Sequence, residues 1–302
     1  MWDDIIKISI LEGIMENIHF STASIIGAII EGFLAVLLPI VLIIVWKIKT
    51  KSRLLPFWTG CLVFPLFALI IEGSFSFIIA LVDSKALNLL SKPLILYLFS
   101  AAMAGIFEET GRLVGMKTLM RKYKDRRDSV TYGIGHGGIE SIIFVGGAAS
   151  VTLLIALITN AGMLHLFTDN YNDALKEKFL TSVNKMTENG FSVYMWGFFE
   201  RISAIIIHIS LSVLVFSAVR QKGKIWLYPL AIFLHFAVDC TVILPHVFNT
   251  PLWLFEIVFF IACVVVAVFV AAYYRKLPQV LEKEERLQQV ETKLSNSSIN
   301  QF

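Results

Sequence analysis

Apolar residues in this chain run in long unbroken blocks rather than alternating or recurring on a single face. Seven blocks, at about 24–46, 57–82, 94–116, 130–159, 191–219, 225–248 and 252–274, are each bounded by charged or turn-forming residues. A bilayer core of about 30 Å needs roughly 20 apolar residues in helical form, so each block is long enough to cross it. In lipid the backbone has to satisfy its own hydrogen bonds, which makes the blocks helices. The expected fold is all-α, a polytopic membrane bundle of seven spans numbered in chain order, with residues 1–276 as its membrane domain and 277–302 as a polar tail.

The connecting pieces are amphipathic. In the segment 160–190, Leu164, Phe167, Tyr171, Leu175 and Phe179 recur at helical spacing and predict a helix lying on the outer interface. The tail carries a thin stripe of Leu281, Leu287, Val290 and Leu294 and is expected to be a cytoplasmic helix that frays at Ser295. Residues 1–19 hold Asp3, Asp4, Glu12 and Glu16 around one lysine, the wrong charge for the start of a secretory signal, and read as a short amphipathic lead-in.

Composition narrows the classes. With 57% apolar and 16% charged residues, the chain is too hydrophobic for a soluble globule or a disordered segment. Cys61, Cys240 and Cys263 lie in apolar runs without a CxxC spacing, so they read as small core residues. The net charge of +3 is too slight to indicate nucleic-acid binding, but its distribution sets a direction. Loops on one side of the membrane hold fifteen Lys and Arg against six on the other, which places the N-terminus outside and the C-terminus in the cytoplasm.

Charged groups inside the spans carry the chemistry, because each costs roughly 2.5–3.5 kcal/mol at mid-bilayer and has to face a partner. Span three ends with Glu108, Glu109 and Arg112; span four opens with a glycine-rich stretch holding His136 and Glu140. Span five has Glu200 and Arg201 and then His208, and span six has His235 and Asp239. Counting helix rise from the nearest cytoplasmic basic or acidic residue puts His136, His208 and His235 at depths of roughly 12, 18 and 16 Å, and the two glutamates at about 12–20 Å. Four helices thus bring carboxylates and imidazoles to one layer in the cytoplasmic half. Glu31, Glu72 and Glu256 stand alone on spans one, two and seven.

Spacing predicts the local pairs. His136 with Glu140, His235 with Asp239 and Glu108 with Arg112 are each four residues apart and share a helix face. Glu140 and Asp239 suit the role of orienting their histidines, and Glu200 with Arg201 that of a structural ion pair. An ion pair with Arg112 or Arg201 would also explain one buried glutamate, but two adjacent carboxylates exceed what one arginine neutralises. The glycines of span four allow close helix packing or a local break near His136.

Two hydrolytic chemistries use this set. His136, His208 and His235 can bind zinc, leaving one coordination position open, with Glu108 or Glu109 as general base. Alternatively, a carboxylate and a histidine polarise water without metal, and a second histidine with Asp239 stabilises the oxyanion. There is no HExxH.

At these residues the sequence resembles the YhfC-type intramembrane peptidases, and more distantly the PrsW-type and the CAAX- and bacteriocin-processing membrane proteases. Glu108-Glu109 with Arg112 matches a paired-glutamate motif with one residue fewer before the arginine. Tyr132 to His136 matches a Phe-x-x-x-His motif with Tyr for Phe, and His235 to Asp239 a His-x-x-x-polar motif. His208 has no counterpart in that scheme. The resemblance implies an intramembrane endopeptidase acting on membrane-associated peptides or proteins near the cytoplasmic face, with Glu108 as base, Glu109 held by Arg112 or Arg201, and a peptidase-like domain over 1–276. The rivals are a proton- or ion-coupled transporter, which also uses buried Glu, His and Asp, and a non-catalytic immunity or regulatory membrane protein. The sequence sets no oligomeric state.

Overall fold

The computed structural model describes residues 18–82 and 84–299, and every regular element among them is helical. The lead-in up to residue 17 lies outside the described residues. Among the described residues, seven helices are long and apolar enough to cross a membrane: Thr22–Thr50, Leu55–Ile79, Pro93–Lys117, Arg126–Asn160, Phe191–Arg220, Leu227–Phe248 and Leu252–Leu277. These are spans one to seven below. Large apolar side chains such as Phe33, Leu81, Leu157 and Phe269 remain more than 60% exposed, as lipid-facing positions require.

The chain forms two compact units, one gathering residues up to Leu37 with Ser141–Arg201, the other Leu38–Glu140 with Ile202–Phe302. In the first, the Asn160 side chain accepts from Phe20 N–H at 2.8 Å and donates to Phe20 O at 3.0 Å, tying the segment before span one to the end of span four. The connection between spans four and five is two helices, His165–Thr168 and Asp173–Thr187, where the hydrophobic periodicity predicts one. Asn172 causes the restart, since its side-chain oxygen accepts from Leu175 N–H at 2.9 Å and caps the second helix. That helix buries Leu180 and Val183, which join Ile18, Phe20, Ala156 and Leu164 in a small core, while Phe167 and Leu175 stay exposed.

The second unit holds the larger core, in which Leu211, Val215 and Phe216 of span five pack with Met116, Met120, Tyr132, Ala231 and Cys263. Span four is α-helical to Ser141 and passes into a π-helical segment, Ile142–Gly146, so the glycines near His136 do not break it. They serve close approach: a Cβ on Gly135 would lie 2.1 Å from Phe57 O, and one on Gly133 2.5 Å from Ile209 Cα. Span two contains a second π-helical segment, Pro65–Ile71. The Arg220 guanidinium donates to Met116 O at 3.0 Å, an acceptor that the C-terminus of span three leaves open, and to the carbonyls of Met120 and Tyr123 in the turn that follows at 2.5 and 2.9 Å. The last helix continues from span seven to Ile299, past the expected fraying point at Ser295.

Candidate active site

Four helices of the second unit meet at one cluster. Glu108, Glu109 and Arg112 of span three, His136 of span four, His208 of span five and His235 of span six are all buried, with Glu140 and Asp239 partly exposed at its edge.

Glu108 and Glu109 have different partners. Glu108 Oε2 lies 2.9 Å from His136 Nε2 and 4.0 Å from His208 Nδ1. Glu109 Oε1 lies 3.2 Å from Arg112 Nη1 and 2.8 Å from His235 Nδ1. Arginine therefore sits on the second glutamate, as the family resemblance implies, and not on the first, with which its four-residue spacing shares a helix face. Arg112 also reaches His208, with Nη2 3.0 Å from Nδ1 and Nη1 3.4 Å from the backbone carbonyl. Because a guanidinium can only donate, His208 Nδ1 is an acceptor and the ring proton belongs on Nε2, which faces Glu140. Glu140 thus orients a histidine on another helix in addition to sharing a helix with His136. Both nitrogens of His235 face carboxylates, Nδ1 that of Glu109 and Nε2 that of Asp239 at 3.4 Å.

The imidazoles form a row, with ring centroids 5.0 Å apart between His136 and His208 and 5.5 Å between His208 and His235. Phe64 and Tyr132 close over His136 at 5.2 and 5.9 Å. Within the row, Glu108, His136 and His208 each present a donor atom within 4.8 Å of the others, all buried. Two imidazoles and a carboxylate form a donor set used by hydrolytic metal sites. His136 Nδ1 is also buried without a hydrogen-bond partner among the described residues. A buried ring nitrogen of this kind is normally satisfied, and the donor set fits a metal ion. His235 stands outside this group of three.

Glu200 and Arg201 belong to the first unit, where they contact each other and lie within electrostatic reach of Glu31. A Cβ on Gly197 would meet the Glu31 carboxylate at 2.2 Å, so glycine makes room for that acid. Glu72 is a site neighbour that motif reading misses: it is half-buried, and the charges acting on it are those of His235 and Asp239. Its signal is a lone acid in an apolar span, seven residues past a proline.

The family model for the YhfC intramembrane metalloprotease matches residues 34–270, and this chain belongs to that family. It is accordingly a metalloprotease-family enzyme and a multi-pass membrane protein, which sets it with peptide hydrolases rather than transporters. A Bacillus subtilis (strain 168) protein described as the uncharacterized membrane protein YhfC is 30% identical over 236 residues, covering 78% of this chain and 86% of the relative. No solved structure matches the chain.

Proposed function

We propose that this protein is an intramembrane endopeptidase that cuts membrane-associated peptides or proteins close to the cytoplasmic face, using spans three to six of a peptidase-like domain over 1–276. The reading is carried by the buried convergence of Glu108, His136 and His208 within 4.8 Å. The loop charges support an outside N-terminus and a cytoplasmic tail, 277–302.

Glu108, His136 and His208 would hold the metal, with the His208 Nδ1 lone pair turning from the Arg112 guanidinium to the ion, and zinc suits a set of two imidazoles and one carboxylate. Such an ion supplies Lewis acidity to the scissile carbonyl and eases ionisation of water. Glu108, the one member of the three with an oxygen beyond the contact to His136, accepts the proton of the attacking water. His235, steadied by Glu109 and Asp239, donates a proton to the departing amine. Arg112 balances Glu109 and aligns His208, while Glu140 fixes the His208 ring from its other side. Glu200 and Arg201 stay outside the reacting set, as an intramembrane ion pair. A direct carboxylate–imidazole activation of water is a second reading, favoured by the 2.9 Å contact between Glu108 and His136, which needs no ion to form.

The test is cleavage of a membrane-inserted reporter by the purified full chain in lipid nanodiscs, with and without chelator. Activity is expected in the wild type and not in Glu108→Gln or His136→Ala. Full activity in both variants would overturn the assignment, and activity that survives complete metal removal would select the second reading.

A further inference from the structure

Span two brings an additional acid to the site. Its π-helical segment, Pro65–Ile71, ends where Glu72 N–H donates to Phe67 O, five residues back. One extra residue in a turn rotates all that follows by about 100°, and π segments of this kind are frequent at functional sites. Two contacts show which side of span two faces span three. Phe67 packs so closely on Gly111 that a Cβ there would lie 2.5 Å from its ring, and Phe75 meets Phe107 at a centroid distance of 5.5 Å. Glu72 lies three residues before Phe75, on the same face, and is less exposed than Ile71 and Phe75 around it. That face adjoins Phe107, the residue before Glu108.

We propose that Glu72 is a specificity-determining residue that, with Asp239, forms an acidic wall beside His235 and selects segments carrying a Lys or Arg side chain next to the bond to be cut. The proposal rests on the peptidase reading and names its substrate class. Asp239 keeps 30% of its side chain accessible, against 0% for Glu109, 9% for Glu108 and 13% for Glu140, so Asp239 and the half-buried Glu72 are carboxylates that an incoming chain can reach. Arg112 is engaged by Glu109 and His208, and the His235 ring lies between Glu109 and Asp239, so the carboxylates of the site outnumber the cations set among them. In a low-dielectric setting an approaching ammonium or guanidinium gains more from such a wall than it would in water, and an approaching carboxylate is repelled. The long stem of Lys or Arg allows an apolar segment to stay in lipid while its charge reaches the wall.

The experiment measures affinity, so it does not depend on turnover. The full chain with Glu108→Gln is placed in nanodiscs and titrated with apolar peptides of about 20 residues that differ at one position, Lys, Gln or Glu. The Lys peptide is expected to bind about tenfold more tightly than the Glu peptide, a difference of about 1.4 kcal/mol. Adding Glu72→Gln should narrow the ratio, and adding Glu72→Lys should invert it. An unchanged ratio in the isosteric Glu72→Gln background, with helicity and melting temperature preserved, overturns the proposal, as does an initial preference for the Glu peptide. Cleavage of the Lys peptide by the wild type is scored separately and reports on the peptidase assignment alone.

Discussion

Glu108 Oε2 lies 2.9 Å from Nε2 of His136, so side chains 28 residues apart on separate spans share one hydrogen bond at the centre of the site. Together with His208 they form a group whose donor atoms could hold a metal ion, with His235 standing outside it. Metal content of the purified protein should therefore fall from about one ion per chain to near zero in His208→Ala and His136→Ala. It should persist in His235→Ala, where only cleavage is lost. Elemental analysis of the three variants checks this, and loss of metal in His235→Ala would return that histidine to the ligand set.

Arg112 is fully buried and holds both Glu109 and His208. Replacing it by alanine leaves an acid uncompensated in the membrane interior, a change that costs about 3–5 kcal/mol when a buried pair is broken. Thermal unfolding in detergent should show a large drop for Arg112→Ala. Arg112→Lys should recover only part of it, because one ammonium cannot reproduce a planar fork with two partners.

Gly135 and Gly147 are both helical glycines of span four and should respond oppositely to alanine. A Cβ on Gly135 would be driven into Phe57 O at 2.1 Å, a backbone atom, whereas one on Gly147 meets nothing within 4 Å. Overpacking at the first should cost about 1–3 kcal/mol. At the second, the better helix propensity of alanine should leave stability unchanged or raise it by up to about 1 kcal/mol. Melting temperatures of the two variants give the comparison.

Asp125 caps the helix that carries His136, its Oδ1 accepting from Arg127 N–H at 2.8 Å and its Oδ2 from Arg127 Nε at 2.8 Å. Those bonds from Arg127 hold its carboxyl below the ordinary value of 3.8. A folded-state value below the unfolded one means the cap stabilises fully above pH 3.8 and is lost as pH falls through the lowered value. Asp125→Ala should cost about 1 kcal/mol at neutral pH, and the difference from wild type should shrink in acid. Unfolding curves recorded across that range test the sign.

The membrane spans and the shared depth of the histidines are legible in the sequence because both follow from helix length and rise. Glu108, His136, His208 and His235 are thereby flagged as neighbours before any contact is known. Partner choice is not legible in the same way. Four-residue spacing puts Arg112 on the face of Glu108 and Glu140 on that of His136; in the structure Arg112 binds Glu109, the partner that only the family resemblance implies, and Glu140 reaches His208. The rotation of each helix about its own axis decides such contacts, and it is set by packing features such as the approach of Gly133 to Ile209. Glu72 escapes for a related reason, since the π-helical turn before it shifts the face on which any regular periodicity would place it.

The doublet Glu108-Glu109 has a consequence for how this site tolerates change. Successive residues on a helix point about 100° apart, so one turn of span three delivers one carboxylate toward the imidazoles of His136 and His208 and the next toward the Arg112 guanidinium. A single deletion just before the pair would turn Glu109 into the place of Glu108 and carry Arg112 into the place of Gly111, against Phe67, so both the acid facing His235 and the guanidinium facing His208 would be lost at once. Evolution of this span can swap its lipid-facing side chains freely, but its frame is locked to the residue.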